Sequence, residues 1–189
     1  MNYMDTCCKS NQSFCCGAKV GKPAPKMTLD AVLGNGEFTK VTVGEDAGKW
    51  TVLFFYPLDF TFICPTEIKG FSQRFSEFEA LNSVVYGCST DSVHSHKAWL
   101  KDLGELKTPL LSDMKHELSR AYGVLLEDEG IALRGTFMID PEGILKYASI
   151  NDNAVGRSID ETLRVLKALQ TGELCPVEWS EGGETLGKA

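Results

Sequence analysis

Cys64 combines a nucleophilic side chain with a chain context that favours reactivity. It follows the apolar run 50–56 and a short loop that begins at Pro57, and it opens a segment with helical periodicity. The first turn of a helix presents unpaired backbone N–H groups and about half a positive charge, and both stabilise a thiolate relative to a thiol. The thiolate is the reactive form of cysteine. The position of Cys64 therefore indicates nucleophilic chemistry at sulfur.

Thr61 and Pro57, which precede Cys64 in the chain, have the side chains that such a site needs. The hydroxyl of Thr61 can donate a hydrogen bond to the sulfur and accept one from a substrate hydroxyl. Pro57 can fix the loop and shield the sulfur from water. A single cysteine in an apolar sequence is most often a small core residue. The spacing of Pro57, Thr61 and Cys64 between a buried strand and a helix favours the reactive interpretation.

The other cysteines call for separate interpretations. Cys88 lies inside an apolar run, so we predict a core residue. The N-terminus has no apolar leader, so we expect a cytoplasmic protein with reduced thiols and no disulfide scaffold. Because adjacent cysteines are unlike the separated pairs of common zinc sites, we predict a flexible tail over residues 1–18, with metal binding or thiol storage as alternatives. Its cysteines are Cys7, Cys8, Cys15 and Cys16.

Composition and charge exclude several classes of function. The 189 residues, 43% hydrophobic and 24% charged, are typical of one globular domain. The net charge of −7 argues against nucleic acid, because phosphate binding requires clustered Lys and Arg. No apolar run reaches about 18 residues, so we predict no membrane span. His94, His96 and His116 have no metal-ligand spacing with the cysteines of the domain, so we predict no metal site among them.

The elements that position Cys64 follow from hydrophobic periodicity. Alternating segments at 27–33 and 38–43 flank Asn35-Gly36, which predicts an N-terminal hairpin. The order of the elements predicts an α/β fold with a mixed central sheet flanked by helices, in one domain over 19–172, followed by a mobile tail over 173–189. The further predicted strands are 50–56, 84–89, 109–112, 134–140 and 144–150, and the predicted helices are 65–82, 93–103, 115–122 and 158–172.

Four segments resemble one known family. FFYPLDFTFICPTEI resembles the active-site signature of the peroxiredoxins, P-x-x-x-(T/S)-x-x-C. Segments 133–140 and 151–158 are similar to the two arginine segments of that family. Segment 173–179 is similar to the resolving-cysteine segment of the typical two-cysteine subfamily, which includes the peroxidase component of alkyl hydroperoxide reductase. The chain is therefore identified as a member of the peroxiredoxin family, with similarity from about Val20 onwards.

The resemblance implies a thioredoxin-like fold and a peroxidase that reduces hydrogen peroxide and organic hydroperoxides. It implies that Cys64 is the peroxidatic cysteine, that Thr61 and Arg134 bind the peroxide and the sulfur, and that Pro57 shapes the pocket. No metal or organic cofactor is expected.

The resemblance also assigns supporting residues and partners. Glu67 and Arg157 are expected to orient Arg134, and Trp99 is expected to pack near the reactive sulfur. Cys175 would resolve the sulfenic acid of a partner subunit, which implies a homodimer and a ring of five dimers. Thioredoxin or a flavin-dependent disulfide reductase would then reduce the disulfide.

Two other functions share features with this sequence. A thioredoxin-like disulfide reductase carries C-x-x-C at the start of its helix, whereas Pro65-Thr66-Glu67 follows Cys64. A non-enzymatic ring protein that holds unfolded clients stays open as the alternative.

Relatives that are inactivated by peroxide carry a Gly-Gly-Leu-Gly insert and a C-terminal Tyr-Phe pair. The stretch 102–107 and the C-terminal residues have neither, so we predict resistance to overoxidation.

Overall fold

A seven-stranded mixed sheet organises residues 17–46 and 48–188, which the computed structural model describes. The order across the sheet is β2-β1-β5-β4-β3-β8-β9, and β6 and β7 form a separate small ladder. The elements are β1 (Met27–Val32), β2 (Phe38–Val43), β3 (Trp50–Phe55), α1 (Cys64–Gln73), α2 (Phe75–Ala80), β4 (Ser83–Ser89), α3 (Val93–Leu103), β5 (Leu110–Ser112), α4 (Glu117–Ala121), β6 (Leu125–Leu126), β7 (Ile131–Ala132), β8 (Arg134–Ile139), β9 (Leu145–Asn151) and α5 (Ile159–Thr171). The predicted α/β fold, with its mixed sheet and N-terminal hairpin, is confirmed.

The core lies on both faces of the sheet. Successive side chains of a strand point to opposite faces, so Val52 and Phe54 of β3 pack against α1, α2, α3 and α5. Leu53 and Phe55 pack on the other face, beside α4. Burial on both sides explains why β3 is continuously apolar in sequence.

The sheet topology brings the start of α1 to the start of β8. β8 runs antiparallel to β3, with Thr136 opposite Phe54. The end of β3 therefore lies beside the first residue of β8, Arg134. The loop after β3 leads directly into α1, whose first residue is Cys64. Two residues that are 70 positions apart in the chain thus meet at one edge of the fold.

The predicted helix over 65–82 is in fact two helices. Arg74 separates α1 from α2 with φ −100° and ψ 13°, and Asn82 ends the region in the left-handed conformation, with φ 47°. Asparagine tolerates that conformation better than most residues. The break was not predicted because Phe71 and Phe78 pack in the same cluster on one face of the sheet, so the hydrophobic period continues across it. The two-residue strands β6 and β7 were also not predicted.

The described parts of the two predicted tails contact the domain. The amide of Ala18 donates to the carbonyl of Ala121 at 3.0 Å. Residues 173–188 fold back over α5, where Arg164 donates to the carbonyl of the buried Trp179 at 2.9 Å. The four N-terminal cysteines lie outside the described residues. None of the described helices is long and apolar enough to cross a membrane.

Cys88 is a core residue, as predicted. Its side chain is fully buried in β4, where it packs in the same cluster as Phe55 and Leu111. Burial, and then the Asp113 carboxylate, raise the pKa of the Cys88 thiol well above its usual range. A thiol that stays protonated and lacks solvent access is a poor nucleophile.

We expect Cys88 to react with iodoacetamide at pH 8 at least about 100-fold more slowly than the half-buried Cys175 in the native, reduced protein, because its thiol is protonated and buried. Peptide-resolved mass spectrometry over time would measure both rates. In denaturant the two rates should converge, which serves as the control. Equal labelling in native buffer would contradict the assignment.

Candidate active site

Cys64 is fully buried at the N-terminus of α1. The carbonyl of Ile63 accepts hydrogen bonds from the amides of Thr66 at 3.0 Å and Glu67 at 3.3 Å, which closes the first turn. No side chain caps this end of the helix, so the partial positive charge of the helix terminus is not offset by a capping oxygen. Cys64 therefore lies at a helix N-terminus that no side chain caps.

Arg134 places a cation beside the sulfur. Its Nη1 lies 3.4 Å from Cys64 Sγ and donates to Glu67 Oε2 at 2.6 Å. Its Nε donates to the carbonyl of Asn153 at 3.0 Å. Because the side chain is only 3% exposed, these contacts hold the guanidinium in one orientation.

Glu67 joins two arginines in one buried cluster. Its Oε1 accepts from the backbone amide and the Nε of Arg157, both at 2.9 Å, and its Oε2 also accepts from Arg157 Nη2 at 3.1 Å. Arg157 further donates to the carbonyls of Phe55 at 2.5 Å and Gly135 at 2.8 Å. Burial lowers the pKa of the Arg157 guanidinium, and the Glu67 carboxylate acts in the opposite direction.

The charges of this cluster do not balance without the sulfur. Two guanidinium groups, Arg134 and Arg157, face the single carboxylate of Glu67. One positive charge is left in a region where unpaired charges are costly. The Cys64 sulfur lies 3.4 Å from one of these two guanidinium groups, that of Arg134.

Thr61 and Pro57 lie in the loop over the site, but one predicted contact is not observed. The Thr61 hydroxyl donates to the carbonyl of Leu58 at 3.0 Å and not to the sulfur. Its oxygen lone pairs can still accept a hydrogen bond. Pro57 is buried. Trp99 is 3% exposed in the same core cluster as Cys64, and its ring lies 5.6 Å from that of Phe60.

A buried polar network that sequence reasoning missed fixes this loop. Asp59 accepts from the hydroxyl of Tyr56 at 3.0 Å and lies 2.8 Å from Nδ1 of His96. Nε2 of His96 lies 3.1 Å from the carbonyl of Leu111. The amide of Asp59 donates to Asp91 at 2.8 Å. These bonds tie the loop to α3 and β5.

The sequence analysis considered His96 only as a metal ligand and found no metal-ligand spacing around it. Nothing in the local sequence connects this residue to Asp59. The two residues are 37 positions apart and meet only in the fold. Within residues 17–46 and 48–188, no group of three or more His, Cys, Asp or Glu side chains could hold a metal ion.

Cys175 lies at the other end of a different helix. It follows α5, and its Sγ is 3.5 Å from the Thr171 hydroxyl and 3.7 Å from the carbonyl of Ala168. The thiol is half-buried beside a groove of about 670 Å³ between α5 and residues 173–178. Cys64 and Cys175 are both free thiols. The structure therefore brings Cys64, Arg134, Glu67 and Arg157 together, and it holds Cys175 against its own helix.

Comparisons with known proteins cover most of the chain. The sequence profile of the AhpC/TSA family matches residues 20–148. Peroxiredoxin prdx-2 of Caenorhabditis elegans is 53% identical over 179 residues, which is 89% of this chain and 89% of that protein. The crystal structure of the reduced 2-Cys peroxiredoxin of Plasmodium vivax has a TM-score of 0.85 at 39% identity, covering 88% of this chain and 91% of that one. AhpC of Mycobacterium bovis has a TM-score of 0.77 at 42% identity, covering 87% of this chain and 99% of that one.

Proposed function

Because this chain is a peroxiredoxin of the AhpC/TSA family, with a thioredoxin-like fold, and hence an enzyme that reduces peroxides through a thiol, we propose that Cys64 is the residue that attacks the peroxide. The observation that carries this proposal is the 3.4 Å contact between Arg134 Nη1 and Cys64 Sγ. The contact lies at a helix N-terminus and inside a cluster with one unbalanced positive charge.

The first step is a displacement at oxygen. The Cys64 thiolate attacks the terminal oxygen of the peroxide, so that an S–O bond forms and the O–O bond breaks. The leaving alkoxide or hydroxide takes a proton, and the sulfur becomes a sulfenic acid. Arg134 can stabilise the charge that develops on the leaving oxygen. Thr61, whose proton is engaged with Leu58, can accept from the peroxide hydroxyl.

The second step would form a disulfide. The thiol of Cys175 attacks the sulfenic sulfur of a partner subunit, an S–S bond forms and water leaves. A disulfide requires Cα atoms within about 7 Å, and Cys64 is fully buried in the first turn of α1. That turn must therefore unwind. Pro65 favours this change, because helical backbone angles are disfavoured for the residue that precedes a proline, here Cys64.

The assembly and the reductant belong to the same proposal. β9 is an edge strand with Ile150 exposed, which supports pairing with a second copy in a homodimer, and the ring of five dimers rests on the family resemblance. Thioredoxin or a flavin-dependent disulfide reductase is proposed to reduce the disulfide by exchange. A cytoplasmic location stays a prediction.

One experiment tests both steps. The reduced protein is treated with one equivalent of hydrogen peroxide, alkylated and run on a non-reducing gel. We expect a disulfide-linked dimer in the wild type and none in Cys64→Ser or Cys175→Ser. Peptide mass spectrometry should identify the Cys64–Cys175 bond, which separates it from bonds of the four N-terminal cysteines. A wild type that consumes peroxide and stays monomeric on the gel would exclude the intersubunit disulfide.

We expect the enzyme to resist overoxidation during turnover in millimolar peroxide. α3 ends at Leu103 and the chain reaches β5 through a short loop, and residues 173–188 contain no helix that could hold the first turn of α1 in place. Mass spectrometry of the Cys64 peptide measures the sulfinic acid fraction. A fraction that rises as fast as activity falls would contradict the expectation, and Cys175→Ser, which cannot resolve, is the positive control.

A further inference from the structure

Phe62 and Val177 are the two most exposed large apolar side chains in the described part of the chain, at 96% and 91%. Phe62 lies two residues before Cys64, and Val177 lies two residues after Cys175. A single exposed apolar residue is ordinary. These two side chains have the largest exposed fractions, and each lies two positions from one of the two cysteines, on opposite sides in the sequence. This arrangement suggests a shared role.

The disulfide between Cys64 and Cys175 would place these side chains together, and this step rests on the proposed function. When residue i of one extended segment faces residue j of an antiparallel one, residue i−2 faces residue j+2. Both pairs lie on the same face. With the cysteines facing each other, Phe62 therefore lies opposite Val177. The cysteines themselves favour extended backbone once released, since Pro65 and Pro176 follow them.

The residue pattern favours the antiparallel alignment over the parallel one. In the antiparallel case Phe62 faces Val177, and Thr66 faces Glu173, so apolar meets apolar and polar meets polar. A parallel alignment would set Phe62 against Glu173 and Val177 against Thr66. Register and direction between strands are selected by such matching of apolar faces.

We propose that Phe62 of one subunit and Val177 of its partner form the apolar contact that guides Cys64 and Cys175 into the disulfide. The groove beside Cys175, lined by Leu174, Pro176 and Val177, provides room for a phenyl ring. Phe62 is almost fully exposed in the single chain, so its side chain is not held by its own subunit. The contact exists only while the first turn of α1 is unwound, so it stabilises the released state.

The test separates oxidation of Cys64 from formation of the disulfide. Reduced protein is mixed rapidly with one equivalent of hydrogen peroxide and quenched with acid and alkylating agent over time. Dimedone labelling and mass spectrometry measure the sulfenic acid, and non-reducing gels measure the disulfide. The variants are Phe62→Ala, Val177→Ala, their double, and the conservative Phe62→Leu. Leu186→Ala, which removes a side chain 71% exposed in the same tail, is the matched control.

We expect each single alanine variant to slow disulfide formation about fivefold to tenfold, while the rate of Cys64 oxidation stays within about twofold of the wild type. The double variant should form the disulfide at a rate within about twofold of that of the slower single variant. Each single substitution already removes the one contact that the two side chains share, so the effects do not multiply. Phe62→Leu should regain most of the rate, and Leu186→Ala should match the wild type.

Unchanged disulfide rates in the single variants would overturn the proposal, as would slowing in the double variant equal to the product of the two single effects. An equal slowing in Leu186→Ala would overturn it too. The proposed function fails separately, and visibly, if the wild-type protein on the same gel forms no Cys64–Cys175 bond.

Discussion

The Cys64→Ser variant is expected to reduce hydrogen peroxide at least about 10,000-fold more slowly than the wild type, because a serine hydroxyl is a far weaker nucleophile than a thiolate and the residue acts directly on the substrate. The buried position beside Arg134 is retained, since a hydroxyl oxygen can accept from the guanidinium in place of the sulfur. Peroxide consumption with an excess of dithiol, followed by a peroxide-selective dye, measures the effect.

Cys175→Ser is the matched control for this prediction. It removes the other proposed redox thiol, yet it should still react with one equivalent of peroxide at the wild-type rate, because Cys175 lies against α5 and not in the cluster around Cys64. Thermal unfolding of Cys175→Ser should remain close to that of the wild type. Substantial peroxide consumption by Cys64→Ser would assign the chemistry to another of the seven cysteines.

The Glu67→Gln variant is expected to lower the free energy of unfolding by about 3–5 kcal/mol, because it removes the carboxylate that pairs with both buried guanidinium groups. Glu67 is 4% exposed and accepts from both Arg134 and Arg157. A glutamine of the same size has one acceptor oxygen and turns an N–H group toward a cation. Urea unfolding at neutral pH measures the change in stability.

The same variant should slow the oxidation of Cys64, because Arg134 loses the bond that orients it toward the sulfur. Glu77→Gln is the matched control, since it removes a carboxylate that pairs with Arg74 at the surface of α2. It should shift the urea midpoint far less and leave peroxide reduction unchanged. If Glu67→Gln unfolds at the urea concentration of the wild type, the cluster does not stabilise the fold in the way that its geometry indicates.

The excess charge of the cluster connects these two predictions. Arg134 and Arg157 outnumber Glu67 by one charge, and the attack proposed for Cys64 takes place beside this excess charge. The loop that carries Pro57 and Thr61 is fixed independently, through Asp59 and His96.

Local sequence predicted most of the secondary structure, and its failures have physical causes. Strands with alternating side chains and helices with one apolar face leave periodic signals, so β2 and α3 were predicted to the residue. The break at Arg74 leaves no such signal, because one backbone rotation does not disturb the spacing of the apolar residues on either side. β6 and β7 contain two residues each, which is shorter than any period can reveal.

The sequence by itself determined the proposed reactive unit, because Pro57, Thr61 and Cys64 lie in one strand–loop–helix segment whose geometry depends on near neighbours. Resemblance to a family named Arg134 and Arg157, but no local pattern could place them. Their contacts with Glu67 and Cys64 span 67 to 90 positions and depend on β8 pairing antiparallel with β3. Only the tertiary structure decided that the Thr61 hydroxyl donates to the carbonyl of Leu58. It also decided that Asp59 and His96 meet in the core, since such a contact arises from how distant elements pack.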